Sequence, residues 1–135
     1  MMGAMDSSRR HASSHSPYEQ TVGFSRAVRV GDRIVVAGTA PIGEGGNVIP
    51  DPAAQTRRCW EIALTALGEL GGKPEDVILT RHYLTDTDPD LVDAVTTVHG
   101  EIFGDVRPVS TMIAIGALLD PRWKLEVELE AIVTG

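Results

Sequence analysis

Three glutamates, Glu126, Glu128 and Glu130, recur at every second residue near the end of the chain. At strand spacing they project from one face, and three carboxylates buried together would repel, so at least one must be solvated or paired with an arginine. A carboxylate in such a row can hold or activate a water for hydrolysis, and Glu128, in the middle, is the candidate. Ser110 and Thr111 stand in the preceding β-prone run, where short hydroxyls can shape a pocket or hydrogen-bond a small ligand. The other chemically capable residues are better explained by packing or capping. Cys59 lies on an apolar helical stripe, the setting of a core thiol, and as the single cysteine it excludes an intrachain disulfide and a multi-cysteine metal site. His11 and His15 are four apart, but in a serine-rich stretch without helical periodicity. Asp86, Asp88 and Asp90 alternate as in a calcium loop, yet Leu91 and Thr97 stand where that loop needs glycine and glutamate. They read as caps of a following helix. His99 is one helical step from an apolar stripe and reads as a packed or partly exposed histidine. There is no Gly-x-Ser-x-Gly elbow, phosphate loop, Gly-x-Gly-x-x-Gly turn or His-Glu-x-x-His pair, so no metal and no cofactor is expected.

The elements that must position these residues follow from periodicity and turn chemistry. Residues 1–16 carry serines, two arginines and two histidines without apolar periodicity, which predicts a flexible N-terminal tail over 1–20 and a single domain over 21–135. Residues 25–30 and 33–37 are β-prone runs joined by Gly31-Asp32, a hairpin turn. Residues 39–50, rich in glycine and proline, predict a loop with a short strand at 47–49. Asp51-Pro52 supplies an N-cap and a first-turn proline for a helix to about Leu70, ended by Gly71-Gly72. Its stripe is Cys59, Ile62, Ala63, Ala66, Leu67 and Leu70. Residues 77–85 predict a strand, and 89–103 a second helix with Leu91, Val92, Val95, Val98, Ile102 and Phe103 on its stripe. Two further strands follow, in which Val109, Thr111, Ile113 and Ile115 alternate with Ser110, Met112, Ala114 and Gly116, and Leu125, Val127, Leu129, Ala131 and Val133 alternate with the glutamates.

The order β-β-α-β-α-β-β, with hairpins at both ends, predicts an α+β fold: a mixed sheet with both helices on one face. Its other face, with Ala37, Ser110, Met112, Ala114, Gly116 and Ile132 among the glutamates, is too apolar for free solvent and too polar for a core. A subunit interface enclosing a cavity suits it.

At 135 residues the chain holds about one domain. Twelve Lys and Arg against 19 Asp and Glu leave a net charge of −7, which opposes binding to a phosphate backbone, so no nucleic-acid partner is expected. No apolar run reaches the roughly 18 residues a membrane span needs, and the first residues lack the apolar stretch of a signal peptide. The expectation is a cytoplasmic protein with no membrane contact.

Five segments, taken together, carry more. Phe24-Ser25-Arg26-Ala27-Val28-Arg29-Val30-Gly31-Asp32, Ala37-Gly38-Thr39, Ala54-Gln55-Thr56-Arg57, Tyr83-Leu84-Thr85-Asp86 and Glu128-Leu129-Glu130-Ala131-Ile132 resemble, in order and spacing, the Rid family, also called YjgF-like or L-PSP proteins, over 22–133. The resemblance implies a chorismate-mutase-like α+β fold assembled as a homotrimeric barrel, helices outside, with small-molecule ligands in the clefts between subunits. Family members hydrolyse reactive enamines and imines such as 2-aminoacrylate, using an arginine for the substrate carboxylate and a glutamate linked to the attacking water. That glutamate falls on Glu128. The arginine, in a Pro-x-Arg-Ser/Thr pattern, falls on Ser110 of Pro108-Val109-Ser110-Thr111-Met112. A hydroxyl cannot supply a bidentate contact to a carboxylate, a loss on the order of a few kcal/mol. The family's tyrosine falls on Phe24, the serine before Gly38 on Ala37, and an asparagine of the second helix on Thr96. Arg107 is a candidate substitute for the arginine, and Thr111 and Met112 complete the implied pocket. The pattern looks like a subgroup without the arginine. It implies an imine or enamine hydrolase acting on a substrate without a free carboxylate, with 2-aminoacrylate disfavoured. The alternatives are a non-catalytic small-molecule-binding trimer and, third, the endoribonuclease of the older family name.

Overall fold

The alternation of Leu125, Val127, Leu129 and Ala131 with the glutamates places the last strand at the centre of a sheet, one side wholly buried. The computed structural model describes residues 9–134. Its strands are β1 (Arg9–Ala12), β2 (Ala27–Val30), β3 (Arg33–Thr39), β4 (Val77–Leu84), β5 (Val109–Ala114) and β6 (Leu125–Ile132), and its α-helices are α1 (Pro52–Glu69) and α2 (Pro89–Phe103). They form a six-stranded sheet in the order β1-β2-β3-β6-β4-β5, antiparallel except for β4 and β5. Trp60, Leu67, Val95, Val98 and Phe103 from the two helices and Ile34, Val36, Leu84 and the inward side of β6 make one core. The α+β mixed sheet is therefore as expected.

Both helices begin as the sequence indicates. The Asp51 carboxylate accepts from the Ala54 amide at 2.9 Å, and that of Asp88 from the Asp90 amide at 3.1 Å, each ahead of a proline in the first turn. Gly31 turns the β2–β3 hairpin at φ 60°, a backbone conformation that costs glycine least.

Four expectations are corrected. The C-terminal hairpin is absent: β5 runs parallel to β4 at the sheet edge, delivered there by α2, while residues 115–124 carry the chain back so that β6 inserts between β3 and β4. Burial explains the exchange, since β6 has a complete apolar side to cover whereas β5 leaves Val109 66% and Ile113 44% exposed. The tail reading fails for residues 9–20. Arg9–Ala12 is the edge strand β1, and Glu19–Gly23 is a π-helical turn whose Glu19 carboxylate accepts from Ser13 and Ser14. Its anchor is electrostatic, because Arg10 and Arg29 both donate to the Leu70 carbonyl, at 3.2 and 2.8 Å, at the negative end of α1. Residues 1–8 lie outside the described part. No strand forms at 47–49.

The last correction concerns faces. Thr80, buried beneath the helices, pairs with Ser110 in the β4–β5 register, so Ser110, Met112 and Ala114 lie toward the helices and Val109, Thr111 and Ile113 on the open face. Neither set in β5 is wholly apolar, and the pattern alone cannot choose between registers one residue apart. Among the described residues no helix is long and apolar enough to cross a membrane.

Candidate functional site

The structure distributes the candidate residues over three neighbourhoods. The first is a cleft of about 980 Å³ between residues 13–24, the end of β3 with the loop after it, and α1. Phe24 and Gly38 line it, together with Arg26 and Glu126. Arg26 Nη1 donates to the Gly38 carbonyl at 3.1 Å, to Thr39 Oγ1 at 2.7 Å and to the Ala37 carbonyl at 3.4 Å, tying the guanidinium to the irregular end of β3. Burial lowers its pKa, opposed by Glu126 and Glu19. The register of β3 on β6 shifts between Val36 and Thr39, and there Glu126 packs on Gly38. A Cβ at Gly38 would lie 2.7 Å from Glu126 Oε1, so the close approach of this carboxylate requires glycine. Burial raises the Glu126 pKa, Arg26 works against that shift, and Glu128 adds to it.

The second neighbourhood is the open face around Glu128. Its Oε1 accepts from the Tyr83 hydroxyl at 2.5 Å and from Arg81 Nη1 at 3.1 Å, while Oε2 has no hydrogen-bond partner among the described residues. The bond to Glu128, then burial, raises the Tyr83 pKa. Glu130 is bridged to Arg33 at 2.5 Å and lies 3.7 Å from Arg81. Arginines thus resolve the repulsion within the glutamate row, as expected of it. Thr111, opposite Arg81 in register, shares this face.

The third lies on the helix side of the sheet edge. Ser110 Oγ is 2.8 Å from Thr80 Oγ1, which is 2.9 Å from His99 Nε2. Behind them Trp60 meets His82 edge-on at 5.4 Å and Phe103 at 5.0 Å. His82 donates from Nδ1 to the Thr111 carbonyl at 3.3 Å, and its Nε2 has no partner among the described residues. Burial brings its pKa down to about 4, with the Thr111 bond raising it and His99 lowering it further. Burial also lowers that of His99.

The remaining candidates stand apart. Thr96 is exposed on α2, its hydroxyl donating to the Asp93 carbonyl at 3.1 Å. Arg107 is exposed at φ 57°, outside the cleft. Met112 packs against the core. Cys59 is buried, and burial pushes its thiol pKa up, as for a core thiol. No group of three or more metal-ligating side chains occurs among the described residues. The sequence reading gave no site role to Arg26, Glu126, Tyr83 or Thr80 and took His99 for a packed or partly exposed histidine. The only sequence signal for Glu126 was its place in the glutamate row, and the shift in β3 that singles it out leaves no mark there.

The fold is that of solved proteins of the YjgF family, and the chain belongs to the Endoribonuclease L-PSP family, whose model matches residues 14–133. It is 41% identical over 128 residues to a protein of Streptomyces coelicolor, covering 90% of each chain. Identity to a RutC family protein of Pyrococcus abyssi is 34% over 111 residues, 81% of this chain and 84% of that one. A crystal structure from Mycobacterium tuberculosis, described as a member of the YjgF/YER057c/UK114 family, superposes with a TM-score of 0.84 at 42% identity over 93% of this chain and all of that one. The Escherichia coli YjgF gene product, 21% identical with a TM-score of 0.76 over 90% and 92% of the two chains, shares the fold.

Proposed function

We propose that the protein acts as a homotrimer that hydrolyses a small imine or enamine lacking a free carboxylate, in clefts between subunits. The observation that carries this reading is the placement of Ser110 and Glu128 on opposite faces of one sheet. Within one chain they cannot touch the same small molecule. Both can serve one ligand only where β5 of one copy adjoins the open face of another. The unpaired outer edge of β5 and its exposed Val109 and Ile113 favour such contact. In this reading Glu128 holds the attacking water on Oε2, Phe24 and the Ala37-Gly38 backbone bound the pocket, and Thr111 lies beside the interface. Thr96, Arg107 and Met112, which the family pattern also suggested, have no assigned role. Ser110 in place of a cation favours a neutral substrate over 2-aminoacrylate.

The test is ammonia release from 2-aminoacrylate and from an uncharged imine. Turnover of the uncharged imine that disappears in Glu128→Ala, with activity on 2-aminoacrylate gained in Ser110→Arg, supports the hydrolase. A stable monomer in sedimentation at micromolar concentration rules out the trimer. The second reading, a non-catalytic binding trimer, is favoured by the two donors already engaging Glu128 Oε1. It predicts no turnover by any form and ligand affinity that survives Glu128→Ala. The net charge of −7 weighs against ribonuclease activity.

A further inference from the structure

Resting on that reading, a hydrolase whose water-holding carboxylate is already bonded to Tyr83 and Arg81 needs another group to take the water's proton. Thr80 is fully buried on β4, and its hydroxyl spans the gap between Ser110, at the exposed β5 edge, and the His99 ring on α2. Thr80 donates to Ser110 when His99 Nε2 carries the ring proton; when Nε2 is the unprotonated nitrogen the Thr80 hydroxyl donates to it and accepts from Ser110, so the chain of bonds can run in either direction. We propose that Ser110, Thr80 and His99 form a proton relay that opens on β5 into the intersubunit cleft and takes the proton of the water held by Glu128 of a second copy. Ser110 is the member that touches substrate or water; Thr80 and His99 are positioning residues that act through it.

The groups around His99 suit an acceptor. His82 on β4 lies 5.1 Å away between ring centres, Trp60 on α1 6.1 Å and Phe103 on its own helix 4.8 Å. Burial lowers its pKa, with no charged side chain contributing, which favours the neutral ring, whose unprotonated Nε2 can accept a proton. In the step, the water oxygen bonds to the imine carbon while the C=N π pair moves to nitrogen. The water proton passes to Ser110 Oγ, the Ser110 proton to Thr80 Oγ1 and the Thr80 proton to His99 Nε2. Run backwards, the chain returns that proton to nitrogen. The C–N bond then breaks with its electron pair on nitrogen, the remaining hydroxyl proton transfers to it, and ammonia leaves a carbonyl product.

The experiment uses the full chain and the imine of cyclohexanone, generated in situ from cyclohexylamine by an amine oxidase with catalase, and follows ammonia release from pH 5 to 9. Wild-type kcat should rise through an acidic limb whose midpoint equals the His99 pKa measured by NMR, below the usual histidine value of about 6.5. Thr80→Val, which keeps shape but removes the hydroxyl, should lower kcat on the order of a hundredfold with little change in KM and abolish the limb, while His99 still titrates. Thr80→Ser should recover the greater part of that loss, and Glu128→Gln should lose rate yet keep the limb. A Thr80→Val enzyme with wild-type rate and limb overturns the relay and leaves the hydrolase standing. A wild-type protein without turnover overturns both.

Discussion

His82 sets a measurable coupling between acidity and stability. Its ring is fully buried, its Nδ1–H is committed to the Thr111 carbonyl, and its Nε2 faces no partner, so adding a proton places an unpaired charge beside His99 and Trp60. The native pKa is about 4, against 6.5 as the reference for the unfolded chain. Between those values the unfolded state binds more protons than the native state, and stability therefore rises with pH. Integrating this one site, acidification from neutral pH costs about 2 kcal/mol by pH 5 and about 3 kcal/mol by pH 4. His99, lowered by burial, acts in the same direction, whereas Glu126, raised by burial, acts in the opposite one just above the carboxylate range. The quantity to measure is thus a difference between two proteins. Urea unfolding of wild type and His82→Leu at pH 7.5 and pH 5, at equal chain concentration, should give a pH dependence smaller in the variant by about 2 kcal/mol at pH 5. At pH 7.5 two effects oppose, since leucine removes a buried nitrogen without a partner but also the Nδ1–H bond to the Thr111 carbonyl, and the variant should lie within about 1 kcal/mol of wild type. Equal pH dependence in the two proteins, or a native His82 titrating near 6.5 by NMR, refutes the reasoning.

Gly38→Ala should push the Glu126 carboxylate off its seat at a cost of about 1 kcal/mol, read by urea unfolding. An unshifted Glu126 in a crystal structure of the variant would refute the contact. Of the protein's two tyrosines, Tyr83 should ionise above the ordinary value of about 10 in an ultraviolet titration. Tyr83→Phe should lose that component and about 1 kcal/mol of stability with the bond to Glu128. Arg10→Ala should free β1 from the end of α1, raising hydrogen exchange of the β1 amides roughly fivefold, equivalent to about 1 kcal/mol of local stability.

Secondary structure was largely legible because its signals are local. Asp51-Pro52 and Asp88-Pro89 start helices whose stripes, Cys59 to Leu70 and Leu91 to Phe103, repeat every three to four residues, and Leu125 to Ala131 alternates as a strand buried on one side must. The family, too, was legible from five short segments, since residues that cap, turn and pack in one order leave their spacing in the chain. Arg9–Ala12 has no periodicity of its own and becomes a strand because β2 offers an edge and Leu70 a carbonyl, both distant in sequence. In the same way β5 takes the edge and β6 the centre because burial is shared among all the strands at once.

Glu126, Glu128 and Glu130 show where local information ends. As a row of carboxylates they were visible in the sequence, and so was the need for arginines beside them. Tertiary structure alone assigned Arg33 to Glu130 and Arg81 to Glu128, seated Glu126 on Gly38 and turned Ser110 toward Thr80 and His99. Each of those choices depends on a register between strands far apart in the chain, and a register displaced by one residue reverses every side chain without altering the sequence pattern.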